Sequence, residues 1–161
     1  MMKEKVILTD CDGVLVDWVH GFTKWMIKSG FERQDNVTSY DMELMFGIDR
    51  NDCKKLVTHF NESAQMRYLS PLRDAIKYVR KLHEEHGYVF RCITSMSLDP
   101  SAAKLRTQNL AELFGPTVFE EVVSESLSAR FTDAWSPVAP NKYTTVPVVR
   151  VVASAFLTYE T

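Results

Sequence analysis

The chain of 161 residues contains 45% hydrophobic residues and carries a formal net charge of −2 at pH 7. This length favours one domain with a small insertion, and the small net charge gives no reason to expect a nucleic-acid or membrane-surface partner. The three widely spaced cysteines argue against a disulfide framework and favour reduced thiols in the cytoplasm, and no apolar stretch is long enough to span a bilayer.

The first predicted element is a short apolar strand, Lys5 to Thr9, that ends in a pair of acids. Asp10 and Asp12 follow it, separated only by Cys11, and Gly13 then permits a sharp turn. Ligands bind at the carboxyl ends of the strands in a parallel α/β sheet, so both carboxylates are expected on one ligand-binding rim. Two acids there indicate a magnesium-dependent phosphoryl-transfer site. The alternative is a solvated turn, in which Asp and Gly are common.

The next stretch, residues 18–69, has helical patterns and no clear strand. Its first helix has an apolar face at Trp18, Phe22, Trp25 and Met26. Asp49 or Asn51 is expected to cap a further helix. The sequence therefore predicts a helical cap insertion over residues 18–69, and a core formed by residues 1–17 and 70–161.

The regular pattern restarts after this insertion with a helix and a strand. Ser70 is expected to be the N-cap of the helix, with Pro71 at its first position and Gly87 at its end. A β-rich run follows, Tyr88 to Ile93, and its carboxyl end carries hydroxyl side chains at the next two positions.

Two further elements complete the predicted core. A helix is expected from about Ser101 to Phe114, and a third strand from Phe119 to Val123. The alternation of strands and helices predicts an α/β fold, in which a Rossmann-like parallel sheet is flanked by helices.

The Asp-Cys-Asp-Gly-Val run at the end of an apolar strand resembles the first motif of the haloacid dehalogenase (HAD) superfamily. The resemblance implies that Asp10 is a nucleophile that forms an aspartyl-phosphate and is a magnesium ligand. It implies that Asp12 is the general acid and base and binds Mg²⁺ through its backbone carbonyl. Thr94, with Ser95, matches the second motif, whose hydroxyl and backbone amides bind phosphate.

The run Ile93-Thr94-Ser95 and the helical insertion are similar to those of the 5'(3')-deoxyribonucleotidases. This likeness implies a phosphatase acting on a small phosphate ester such as a nucleoside monophosphate. A receiver-type signalling domain also groups acids, a Thr or Ser and a Lys, but it lacks a long insertion after its first strand. The oligomeric state is not predicted by the sequence.

Residues 124–161 depart from the family pattern, which has a Lys after the third strand and then a strand ending in paired acids. The nearest charged candidates here, Arg130, Lys142 and Asp133, do not follow that pattern. Two interpretations remain open. The tail has diverged and leaves a weakened or inactive phosphate-binding module, or a shifted reading frame has joined a family core to unrelated sequence. Translation of the coding DNA in the other frames distinguishes them.

Overall fold

The structure, a computed structural model, describes residues 5–34, 41–94, 97, 99–124 and 149–150. Its centre is a parallel sheet with the strand order β3-β2-β1-β4. The strands are β1 (Lys5–Thr9), β2 (Tyr88–Thr94), β3 (Phe119–Ser124) and β4 (Val149–Arg150). The predicted fold class, a parallel sheet flanked by helices, is confirmed.

Strand β1 lies inside the sheet because it has a parallel neighbour on each side. Ile7 is aligned with Phe90 of β2 and with Val149 of β4. Val6 and Ile7 point to opposite faces of the sheet and are both buried, so both faces are covered. The loop that follows a strand in this position lies at the middle of the sheet's carboxyl edge.

Helices occupy the first part of the chain between β1 and β2, as the apolar periodicity predicted. They are α1 (Trp18–Lys28), α2 (Met42–Phe46), α3 (Arg50–Glu62) and a 3-10 helix (Ala64–Tyr68). Each of these three α-helices begins at an aspartate whose side-chain carboxylate accepts a hydrogen bond from a backbone N–H group of the first turn. These aspartates are Asp17, Asp41 and Asp49 respectively. Residues 18–69 are called the helical insertion below.

The two ends of the helical insertion are joined by backbone hydrogen bonds. The N–H of Asp17 donates to the carbonyl of Ser70 over 2.8 Å, and the N–H of Leu72 donates to the carbonyl of Leu15 over 2.9 Å. The insertion therefore leaves and re-enters the core at one place.

The predicted N-cap at Ser70, with Pro71 in the first helical turn, is wrong. Helix α4 spans Ala75–Glu84, and Pro71 instead forms an antiparallel bridge with Val16. The backbone of Ser70 and Leu72 is hydrogen-bonded to Asp17 and Leu15, so the helix begins later. Gly87 does follow the helix end, where its φ of 69° is accessible to glycine at little cost.

Helix α5 (Pro100–Phe114) connects β2 to β3 and begins at Asp99, whose carboxylate accepts the N–H of Ser101. Its buried face consists of Ala102, Arg106, Asn109, Leu110 and Phe114. In the described part of the chain, no helix is long and apolar enough to cross a membrane.

Candidate active site

The loop after β1 holds two carboxylates at the carboxyl edge of the sheet. The N–H of Cys11 donates to Oδ1 of Asp10 over 2.6 Å, and Gly13 has a left-handed φ of 75°. The carbonyl of Cys11 accepts the N–H of Leu15 over 2.9 Å, which closes the turn. The charge of Asp10 raises the pKa of Asp12, so the two acids lie within electrostatic range of each other. Both acids thus lie on the loop that follows the carboxyl end of β1.

The carboxylate of Asp12 is bound by Arg106 of helix α5. The Nη2 atom of Arg106 lies 2.9 Å from Oδ2 and 2.8 Å from Oδ1 of Asp12. The hydrogen-bond geometry is satisfied at Oδ2, whereas Oδ1 has no hydrogen-bond partner among the described residues. Both oxygens lie within ion-pair distance of Nη2, and Oδ1 is itself buried, so Arg106 fixes the carboxylate from its buried side.

Arg106 was missed by the motif search, although the sequence contained a signal for it. It is 0% exposed and lies on the apolar stripe of α5, four residues after Ala102 and four before Leu110. Arginine is almost never fully buried without a partner, so an arginine on a buried helix face predicts a buried acid nearby. The sequence alone did not identify which acid this was.

Burial raises the pKa of both acids. The pKa of Asp10 is raised by burial, against the opposing effects of the Cys11 N–H and the Arg106 charge. Burial raises the pKa of Asp12 to about 6; Arg106 opposes this shift and the charge of Asp10 adds to it. A carboxylic acid with a pKa near neutrality can both donate and accept a proton at physiological pH.

Thr94 is the last residue of β2 and is 2% exposed. Thr9 is aligned with Cys92, so Thr94 lies two residues further along the sheet, on the level of the loop that holds the acids. Its Oγ1 is buried and has no hydrogen-bond partner within the described segments. Ser95, the other predicted phosphate-binding residue, lies outside the described residues.

The donors around the loop fit a magnesium ion. Mg²⁺ is commonly held by one or two carboxylates together with water and substrate phosphate, and the Asp10 carboxylate and the Asp12 carbonyl are oxygen donors of this kind. The Asp12 carboxylate is engaged by Arg106. Within the described residues, no group of three or more His, Cys, Asp or Glu side chains could hold a metal. Arg130, Lys142 and Asp133 lie outside the described residues.

A cleft of about 300 Å³ opens beside the acid loop. It is bordered by Gly13 on the loop side, and by Trp18, Thr23 and Arg33 on the side of the helical insertion. A second cleft of about 320 Å³ lies over α1 and the 3-10 helix and does not include the loop. Of these two clefts, the one at Gly13 borders the acid loop, and Asp10, Asp12 and Thr94 are not among the residues that line it.

No family model matches the sequence. Among curated proteins, the chain is similar to an uncharacterized 32.4 kDa protein of Enterobacteria phage T4, with 32% identity over 123 residues. The match covers 73% of this chain and 43% of the phage protein, so the chain spans less than half of that relative's length.

Among solved structures, the chain is similar to a haloacid dehalogenase-like family hydrolase from Streptococcus pneumoniae. The TM-score is 0.50 at 17% sequence identity, and the match covers 80% of this chain and 65% of the other. At this identity the likeness shows a shared fold.

Proposed function

We propose that the chain is a magnesium-dependent phosphomonoester hydrolase that works through an aspartyl-phosphate on Asp10. The observation that carries this proposal is the pair of acids at the carboxyl end of the central strand, one of them in an ion pair with a buried arginine. The fold shared with a haloacid dehalogenase-like hydrolase supports the same reaction class.

The reaction has two steps. A carboxylate oxygen of Asp10 attacks phosphorus, the ester P–O bond breaks, and Asp12 donates a proton to the departing oxygen. Asp12 then accepts a proton from a water molecule that attacks the phosphoryl group on Asp10, which releases inorganic phosphate. Because the pKa of Asp12 is about 6, this residue suits both proton transfers. Magnesium, when bound at the Asp10 carboxylate and the Asp12 carbonyl, supplies positive charge that lets an anionic nucleophile approach a phosphate.

Thr94 and Ser95 bind the phosphoryl oxygens in this proposal. The buried Oγ1 of Thr94 has no hydrogen-bond partner among the described residues, and this supports the role, because a buried hydroxyl without a partner is expected to gain one when a ligand binds. Ser95 enters on the family resemblance alone.

The substrate is a small phosphate ester, and the helical insertion acts as a cap that excludes water and selects the leaving group. The cleft between Gly13 and the insertion supports this assignment, since it joins the acid loop to side chains of α1. A nucleoside monophosphate is the candidate class that the resemblance to deoxyribonucleotidases adds.

A second candidate function is a phosphate-binding module with weak or no catalysis. The donor set favours it, because among the described residues the acid loop offers one carboxylate that is not paired with Arg106, and there is no cluster of three metal-ligating side chains. Such a module binds phosphate analogues and turns over no ester.

The test is a phosphatase assay with magnesium over a panel of nucleotides and sugar phosphates. Asp10→Asn is expected to abolish turnover, because an amide oxygen is too weak a nucleophile to replace the carboxylate. Asp74→Asn is the matched control: Asp74 is an exposed acid before α4 whose side chain makes no capping bond, and its loss is expected to leave turnover unchanged. Activity that survives Asp10→Asn rejects the mechanism, and binding of vanadate by an inactive parent chain favours the second candidate.

A further inference from the structure

We propose that Arg106 is a positioning residue of this site, which holds the Asp12 carboxylate from the buried side of the acid loop in a fixed orientation for proton transfer. This inference rests on the proposed function, since it assigns a role within the same reaction. The resemblance to the HAD family does not identify Arg106, because the family's basic residue is expected after the third strand.

The difference in exposure between the two side chains separates positioning from substrate binding. The Arg106 side chain is 0% exposed, whereas the Asp12 side chain is 28% exposed. A ligand that enters from the solvent therefore meets Asp12 first and has no direct route to the guanidinium. Arg106 lies behind the acid, where it acts on the substrate only through Asp12.

The contacts with Arg106 fix the orientation of the carboxylate. Nη2 of Arg106 donates to Oδ2 of Asp12 and lies 2.8 Å from Oδ1, which is itself buried. A carboxylate held in this way by a buried guanidinium has little freedom to rotate. General acid catalysis depends on this geometry, because the proton must lie within hydrogen-bond reach of the departing oxygen.

The rigidity of Arg106 comes from its place on helix α5. The helix has a defined start, where Asp99 accepts the N–H of Ser101, and Arg106 lies on its buried face. One turn later, Asn109 donates to the carbonyls of Arg67 and Leu69 over 2.8 and 3.0 Å. These contacts fix the helix against the 3-10 helix at the end of the helical insertion, and they fix the backbone that carries Arg106.

The buried charge of Arg106 explains why the arrangement persists. Its ion-pair partner in the described part of the chain is Asp12, and its Nε and Nη1 atoms have no hydrogen-bond partner there. A buried guanidinium with one acidic partner is strongly tied to that partner, because separation leaves an uncompensated buried charge. Lysine offers a flexible point charge in place of the planar group, so it preserves the attraction but fixes the carboxylate less well.

The experiment compares kcat/KM for two esters that differ in their need for an acid. The 2,4-dinitrophenolate of 2,4-dinitrophenyl phosphate departs without a proton, whereas the alkoxide of an alkyl phosphate such as glycerol phosphate requires one. Arg106→Met is expected to lower kcat/KM for the alkyl ester ~100-fold and for the activated ester less than ~10-fold, within the ~10²–10⁴-fold that general acid catalysis supplies. Arg106→Lys is expected to restore part of the alkyl-ester rate.

Arg67→Met is the matched control, because it removes an exposed arginine that pairs with Glu112 of α5, the helix that carries Arg106. It is expected to leave both values of kcat/KM unchanged.

If Arg106→Met does not fold, Arg106→Lys is tested by the same ratio of the two esters. A measurement independent of activity is the coupling between Arg106→Lys and Asp12→Asn in urea unfolding. The lysine substitution is expected to reduce the folding equilibrium constant ~10-fold in the parent chain, and less in the Asp12→Asn background.

The outcomes separate this inference from the proposed function. Equal losses on both esters, in a chain whose turnover is abolished by Asp10→Asn, would overturn the role of Arg106 and leave the phosphatase proposal intact. Absence of turnover in the parent chain overturns both. A selective loss on the alkyl ester, together with energetic coupling to Asp12, supports the positioning role.

Discussion

At the scale of single residues, Thr94 combines a structural defect with a candidate function. Its hydroxyl is buried at the end of β2 and has no partner among the described residues. An unpaired buried polar group destabilises a folded protein by about 1–3 kcal/mol. In the proposed complex, a phosphate oxygen accepts a hydrogen bond from this hydroxyl and offsets that penalty. The free protein is therefore less stable than the same fold with this hydroxyl paired.

Thr94→Val is therefore expected to separate stability from activity. Valine has the shape of threonine without the hydroxyl, so the free energy of unfolding is expected to stay the same or rise by about 1 kcal/mol. The loss of a hydrogen bond to a charged phosphate is expected to lower kcat/KM ~10-fold or more. Urea unfolding and phosphatase assays measure the two effects. Thr107→Val, on the exposed side of α5, is the matched control and is expected to leave kcat/KM unchanged; a stability loss above ~1 kcal/mol for Thr94→Val contradicts the interpretation.

Sequence reasoning found the acids of the site but not the arginine. Asp10 and Asp12 are adjacent in the chain and follow an apolar strand, so a local pattern suffices to identify them. Arg106 reaches Asp12 from 94 positions away, and this contact depends on how α5 packs against the sheet. A motif does not contain that information, whereas the burial stripe of the helix contains part of it.

At the scale of elements, the helical insertion has its own aromatic core. The ring of Phe22 is fully buried, stacks on Trp18 with centroids 4.9 Å apart and meets the edge of Phe60 at 5.4 Å. Trp25 and Phe46 contact the same ring at 6.0 and 6.1 Å. The sequence predicted the face of α1 that carries these residues, because periodicity is a local signal. It misplaced the start of α4, because the hydrogen bonds that join residues 70 and 72 to residues 17 and 15 are tertiary contacts.

Phe22→Ala is expected to destabilise the protein by about 3–5 kcal/mol, because it leaves a cavity at the centre of this cluster. Chemical denaturation followed by tryptophan fluorescence measures the loss, since Trp18 and Trp25 contact the ring. Leu44→Ala provides the control within the same insertion: Leu44 is 58% exposed and its truncation is expected to change stability by less than ~0.5 kcal/mol. Similar effects for the two substitutions contradict a packed aromatic core.

At the scale of the whole molecule, the buried acid links folding to pH. The pKa of Asp12 is about 6 in the folded chain and takes its ordinary value of 3.8 when unfolded. The folded state thus holds the proton more tightly. Its contribution to stability is fully present below pH 3.8 and is lost as the pH rises through 6.

The free energy of unfolding of the parent chain, minus that of Asp12→Asn, is expected to fall by roughly 2–3 kcal/mol between about pH 4 and pH 7, at 1.36 kcal/mol per pKa unit. The asparagine variant cancels the titration of the other carboxyl groups, which are common to both proteins. Urea unfolding in magnesium-free buffer at several pH values gives this difference. A difference that is independent of pH contradicts the raised pKa of Asp12.

The hydrogen bonds between the two linkers of the helical insertion, Asp17 to Ser70 and Leu72 to Leu15, have a consequence for how this molecule tolerates rearrangement. Since the helical insertion begins and ends at one place, its length and its sequence are uncoupled from the strands behind it. A segment of another length whose ends meet at the same spacing can take its place without displacing β1 or the acids that follow it.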